Sequence, residues 1–141
     1  MYRLSTLGMI ALVFTWLTFT VVSVGAQNPG GSAEGKALKN PVPATAASVT
    51  AGTQLYQKNC QFCHGPKGLG DGPLAPKGTM PANLADATWV RGSTDGEIFK
   101  VIADGAGPDF KMKGVKGRIA DNDIWNIVNY VRSIGPKTAS R

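Results

Sequence analysis

The sequence predicts a small all-α domain in which about three to four short helices are joined by long glycine- and proline-rich loops. Three observations predict it. Apolar residues recur at helical spacing before residue 60 and again in two later stretches, and no strand-rich run precedes Cys60. Nine of the 17 residues from Gly65 to Pro81 are glycine or proline, which excludes a regular element there. Between these regions stands Cys60-Gln61-Phe62-Cys63-His64, a C-x-x-C-H motif whose chemistry explains how so loop-rich a chain can be compact.

C-x-x-C-H is the attachment signature of a c-type haem, with two thiols bonded to the porphyrin edge and the adjacent histidine on the iron. Cysteines three positions apart on one helical turn face the same way, so both sulfurs can reach one porphyrin edge, and the next residue is carried beneath the ring. A thioredoxin-like pair would need a βαβ setting. Structural zinc would need four Cys/His ligands, and Cys60, Cys63 and His64 are the chain's whole supply. A plain disulfide would leave the single histidine beside Cys63 by accident.

The chain has 141 residues, long enough for one small domain. Residues 1–26 read as an export signal or an uncleaved membrane anchor: Arg3 supplies the positive start, Leu7 to Val24 is apolar, and Val24-Gly25-Ala26 is a small-residue cleavage site. Losing them removes one charge, Arg3, and leaves 14 basic against 9 acidic side chains, a formal +5. Residues 27–48 hold Pro29, Gly30, Gly31, Pro41 and Pro43 and few bulky apolar side chains, which predicts a flexible linker. The domain is then expected over 49–136, followed by a short tail at 137–141.

Within the domain, Gly52, Leu55, Tyr56 and Asn59 lie at helical offsets behind Thr50, the expected cap, and this helix delivers the motif. Residues 65–81 follow as turns that can lie flat against a ligand, because glycine allows close approach and proline holds the loop stiff. Thr94-Asp95-Gly96-Glu97 is a capping box ahead of the stripe Ile98, Val101, Ile102, which Gly105 ends. In the last helix Ile124, Ile127, Val128 and Val131 fall at i, i+3, i+4 and i+7. Asp121 and Asp123 suit its positive start, and Gly135-Pro136 stops it. Loops this long argue against a compact domain unless they serve a function, and a haem gives them an apolar body to wrap.

Taken in order, Gly52 to Tyr56, Cys60 to Gly65, Gly68 to Pro73, Asp95 to Phe99 and Asp123 to Arg132 make residues 50–135 resemble a class I monohaem cytochrome c of the bacterial type. The resemblance implies a class I cytochrome c fold around one covalent haem c, with the first and last helices crossing where Gly52 meets Tyr130. It implies attachment outside the cytoplasm, hence a periplasmic protein or one on the outer face of the cytoplasmic membrane. His64 is then the proximal ligand, with its ring hydrogen-bonded to the carbonyl of Pro73. A methionine is expected as the sixth ligand. Met80-Pro81 carries the family's usual dipeptide, but Met112 lies 13 residues before Trp125, in the family's register, and is the expected ligand. Trp89 and Arg91 fall where the family reaches the haem propionates, and an arginine can pair a carboxylate in bidentate fashion.

The expected function is single-electron transfer between respiratory or dehydrogenase partners, without bond chemistry, either as a free carrier or as a fixed subunit of a membrane respiratory complex tethered through residues 1–26. Lys111, Lys113, Lys116 and Arg118 border the proposed ligand loop, with Lys67 and Lys77 in the earlier one, and suggest redox partners with an acidic docking face. A haem enzyme or gas sensor would need a distal hydrogen-bonding or acid/base group, and no second histidine exists to serve. Nucleic-acid binding is the generic reading of so basic a chain, yet its basic residues interleave no aromatic stacking platform.

Overall fold

A computed structural model of the chain describes residues 31–107 and 111–136. The expected signal or anchor, the first residues of the expected linker and the tail lie outside the described residues. Among the described residues there are five helices: α1 (Ala33–Ala37), α2 (Ala46–Asn59), α3 (Gln61–His64), α4 (Asp95–Asp104) and α5 (Asp121–Ile134). One short antiparallel pair, β1 (Gly105–Ala106) and β2 (Met112–Lys113), follows α4. The architecture is all-α as expected, the two additional helices being the brief α1 and α3.

The fold is built on the crossing of α2 and α5. Gly52 makes it feasible: a Cβ at this position would fall on the Asn126 carbonyl and within 2.9 Å of the Tyr130 Cβ. One turn later the Tyr56 and Tyr130 rings meet at 4.8 Å between centroids, tilted by 48°. The apolar face of α5 is fully used, with Ile124 and Val128 at 0% exposure. Burying each such side chain stabilises the fold by roughly 1.5–3 kcal/mol, so this face is the largest apolar contribution to the core. Helix α4 adds Ile98 and Ile102, and Phe99 stacks on Trp125 at 4.2 Å.

The capping box of α4 forms as read: the Thr94 N–H donates to Glu97 Oε2 at 2.9 Å, and the Glu97 N–H donates to Thr94 Oγ1 at 3.3 Å. The start of α2 corrects the expectation. Thr45 is its N-cap, accepting from the Ser48 N–H at 3.1 Å, whereas Thr50 lies inside the helix and donates to the Ala46 carbonyl. The reason is local: Thr45 is a good cap and Ala46-Ala47 behind it are good helix formers, so the helix begins before its apolar stripe does.

The expected linker over 27–48 also needs correcting from Gly31 onward. Ser32 caps α1 by accepting from the Gly35 N–H at 2.9 Å, and buried Gly35 lies so close to α4 that a Cβ would come within 2.9 Å of the Glu97 Cα. Glu34 pairs with Lys100 at 3.2 Å. Beyond α1, Asn40 Nδ2 donates to Asn129 Oδ1 at 2.8 Å, and Asn129 Nδ2 donates to the Val42 carbonyl at 3.1 Å and to Ser48 Oγ at 2.8 Å. Ser48 Oγ donates onward to Asn126 Oδ1 at 2.7 Å. This arm is held by close backbone approach, by a buried amide and by two isolated apolar side chains, Leu38 and Val42, that pack against the core, too few to make a hydrophobic pattern. Among the described residues no helix is long and apolar enough to cross a membrane.

Candidate functional site

The motif sits at a break between two helices. Cys60 caps the end of α2 with φ −121° and ψ −38°, and the chain restarts as the single turn α3. The Cys63 and His64 N–H groups both donate to the Cys60 carbonyl, at 3.1 and 2.9 Å, which keeps Cys60, Cys63 and His64 within one turn. Gly65, at φ +80°, ends that turn in a conformation that suits only glycine. Its carbonyl accepts from the Tyr56 hydroxyl at 2.7 Å, so the helix crossing is tied directly to the end of the motif.

The glycine-rich loop then returns along the motif. The N–H groups of Gly70, Gly72 and Leu74 donate to the carbonyls of His64, Cys63 and Phe62 at 2.8, 3.1 and 2.8 Å. A Cβ at Gly72 would meet Cys63 and Phe62 backbone at 2.5 Å, so the close return depends on glycine there. Farther on, the Leu84 N–H donates to the Gly68 carbonyl at 2.6 Å and closes the loop on itself.

Cys60 and Cys63 are unpaired and half-buried. Burial, with a smaller contribution from Cys63, pushes the Cys60 thiol up to about 11. His64 is buried, and loss of solvent lowers its basicity, opposed in part by a hydrogen bond to backbone. That bond corrects the expectation for Pro73. His64 Nδ1 lies 3.1 Å from the Ala82 carbonyl, and exposed Pro73 is not its partner. The identity of the carbonyl over an imidazole depends on the path of the whole loop, here set by the Gly68–Leu84 closure. With Nδ1–H donating to Ala82, Nε2 keeps the lone pair needed by a metal.

The two methionines differ sharply. Met80 is 96% exposed, whereas Met112 is half-buried in β2, opposite Ala106, and packs against the core cluster. Trp89 and Arg91, the residues expected at the haem propionates, each have a protein partner. Trp89 Nε1 donates to the Asp86 carbonyl at 3.2 Å and its ring lies 5.9 Å beneath the Arg132 guanidinium. Arg91 donates to the Gly107 carbonyl and so ties its strand of loop to the base of the Met112 hairpin. Of the basic residues around Met112, Arg118 donates to the Gly114 carbonyl at 2.9 Å, while Lys113 and Lys116 are exposed.

Ala82 and Asn129 are contributors that the residue pattern did not reveal, as is the bond of the Tyr56 hydroxyl to Gly65. Ala82 acts through backbone and leaves no sequence signal. Asn129 could have been found, since it is an amide on an otherwise apolar helix face between Val128 and Tyr130.

A haem fits this donor set. Two unpaired thiols and a buried imidazole with one nitrogen already engaged lie within one turn, beside a loop whose glycines keep side chains out of the way. A family model described as cytochrome c oxidase, cbb3-type, subunit III matches residues 47–131. The cbb3-type cytochrome c oxidase subunit CcoP of Rhodobacter capsulatus is 31% identical over 98 residues, 66% of this chain and 31% of that protein. The chain therefore spans about a third of the length of the oxidase subunits it matches. Cytochrome c6 of Picosynechococcus sp. is 32% identical over 95 residues, 63% of this chain and 75% of that one. Among solved structures, cytochrome cL of Methylophaga aminisulfidivorans shares the fold at a TM-score of 0.52 and 24% identity, covering 70% of this chain and 59% of that one.

Proposed function

Because the chain belongs to the family described as cytochrome c oxidase, cbb3-type, subunit III, a class I-type cytochrome c domain, we propose that it is an exported c-type cytochrome that passes single electrons between redox partners. Cys60 and Cys63 would hold one haem through thioether bonds, and His64 Nε2 and the Met112 thioether would ligate its iron. Bound there, haem iron contributes a one-electron ferric/ferrous couple, and a thioether ligand raises its potential. The protein's part is to fix the imidazole through Ala82, to exclude water with the α2–α5 core, and to present the Met112 hairpin. No bond is made or broken in a substrate.

The observation that carries the ligand assignment is the contrast between half-buried Met112 and fully exposed Met80. Met112→Ala should abolish the sulfur-to-iron charge-transfer band of the oxidised protein and lower its potential, and Met80→Ala should leave both as they are. The reverse pattern overturns the assignment. The oxidase-subunit relatives favour a second form of the same reading, a subunit fixed in a membrane respiratory complex. Co-purification of haem c with an oxidase from mild detergent separates that form from a free carrier.

For the partner, exposed Lys113 and Lys116 beside Met112 support an acidic docking face. Steering by such charges is screened as the Debye length falls to about 10 Å at 0.1 M salt, so Lys113→Gln with Lys116→Gln should slow electron transfer at low salt and flatten its salt dependence while leaving the potential alone.

A further inference from the structure

The hairpin that carries Met112 is attached to the domain from two sides. On the first it grows out of α4. The Val115 and Lys116 N–H groups donate to the Ile102 and Ala103 carbonyls in the last turns of that helix, at 3.1 and 3.0 Å. A Cβ at Gly114 would come within 2.3 Å of the Ala103 carbonyl oxygen, so the chain passes against the helix end there. Gly105, at φ +92°, turns α4 into β1, and a Cβ on it would lie 2.6 Å from the Met112 carbonyl oxygen. All these contacts converge on one helix end, which makes that end a pivot about which the hairpin can tilt as a unit.

The second attachment is Arg91. Its Nη2 donates to the carbonyl of buried Gly107 at 2.5 Å, one residue beyond Ala106, which stands opposite Met112. Arg91 belongs to a separate segment, and local bonds stiffen that segment. The Ala85 N–H donates to Asn83 Oδ1 and the Thr88 N–H to Asp86 Oδ1, both at 2.9 Å, while Trp89 packs against the core. Nine positions before Arg91 stands Ala82, whose carbonyl lies 3.1 Å from His64 Nδ1. One stiff segment therefore supports both His64 and the hairpin of Met112.

We propose that Arg91 is a positioning residue: by fixing the hairpin at a point away from α4 it holds the Met112 thioether in place and keeps small ligands out of the site. The inference rests on the ligand assignment made above and adds what maintains it. A guanidinium suits the task, because it stays charged and its planar fork loses little freedom for each hydrogen bond it makes. Arg91 is exposed, so removing it takes no packing from the core. Without the bond to Gly107 the hairpin tilts, the thioether departs more often, and a neutral nitrogen base from solution takes its place.

Imidazole added to the oxidised, haem-loaded full chain tests this, with loss of the sulfur-to-iron charge-transfer band as the readout. Arg91→Ala should bind imidazole about tenfold more tightly than the parent, the effect expected from losing one hydrogen bond with a charged donor. Amides of Val115 and Lys116 should keep their protection from exchange, because the pivot on α4 is left intact. Gly78→Ala separates positioning from general stability: it strains a loop position with nothing within 4 Å of the added carbon and should leave imidazole affinity at the parent value. Equal rises in both variants would overturn the proposal. So would an unchanged affinity in Arg91→Ala, and a shifted potential alongside it would assign Arg91 to the haem propionates instead. Failure of the ligand assignment shows separately, as a parent protein without the charge-transfer band whose imidazole affinity is unaltered by Met112→Ala.

Discussion

The α2–α5 crossing and the loop over residues 65–91 are held together by opposite means. The crossing is apolar and dry: Tyr56, Ile124, Ile127 and Val128 are each at or below 1% exposure, and one glycine sets the approach of the helices. The loop buries almost no large side chain of its own, leaving Leu69, Leu74, Met80 and Val90 exposed, and relies on backbone bonds to the motif. The crossing therefore contains its own driving force, while the loop depends on a body that it can wrap. The difference teaches where stability resides before haem is attached and where it appears only afterwards.

Removing the haem tests this most severely. In Cys60→Ala with Cys63→Ala, amides of Gly70, Gly72 and Leu74 should lose protection on the order of a hundredfold or more, while those of Ile127 to Val131 persist in native-state hydrogen exchange. Equal loss in both regions would break the comparison. Next in size is the crossing itself. Gly52→Val drives a side chain into the Asn126 carbonyl and should cost about 3 kcal/mol or more, read from thermal or urea unfolding of the haem-loaded protein. The matching change in the loop is Gly78→Ala. Its φ of +73° is strained for alanine, but nothing lies within 4 Å of the added carbon, so about 1–2 kcal/mol is expected in the same experiment.

The smallest effect concerns the junction of the two regions, at Cys60. Its thiol is raised from 9.0 to about 11 by burial, so in haem-free chain at pH 8 it should react with iodoacetamide more slowly than it does after unfolding in urea. The sign for stability follows. Below pH 9 both states carry the neutral thiol. Between 9 and 11 the unfolded chain ionises first, and the haem-free fold loses stability as the pH rises through that window. Equal reaction rates in folded and unfolded chain would show that α2 does not shield Cys60 without haem.

How much of this was legible in the sequence follows from what kind of force acts at each place. The motif was legible because covalent chemistry demands particular residues at fixed spacing. Helices α4 and α5 were legible because the capping box and the stripe Ile124, Ile127, Val128, Val131 are local patterns, and the Gly52–Tyr130 crossing followed from the resemblance. Residues 31–45 escape a sequence reading because their hold comes from Gly35, from two scattered side chains, Leu38 and Val42, from backbone carbonyls and from Asn129, which is 89 positions from Asn40. The hydrogen-bond partner of His64 was misassigned to Pro73 for a similar reason. A backbone acceptor can be any residue, and only the closure of Leu84 on Gly68 brings Ala82 to the imidazole.

The pairing of Ala106 with Met112 also bears on how this gene can change by insertion or deletion. Side chains along a strand alternate between faces, and here half-buried Met112 is flanked by exposed Lys111 and Lys113. Loss or gain of one codon between Ala106 and Met112, with the pairing kept, would present a lysine where the thioether now lies, although the methionine would still be in the sequence. A change of two would preserve the alternation. Which face the methionine takes is set by odd and even count as much as by residue identity, so a length change in this hairpin can move a side chain between core and solvent as surely as a point substitution.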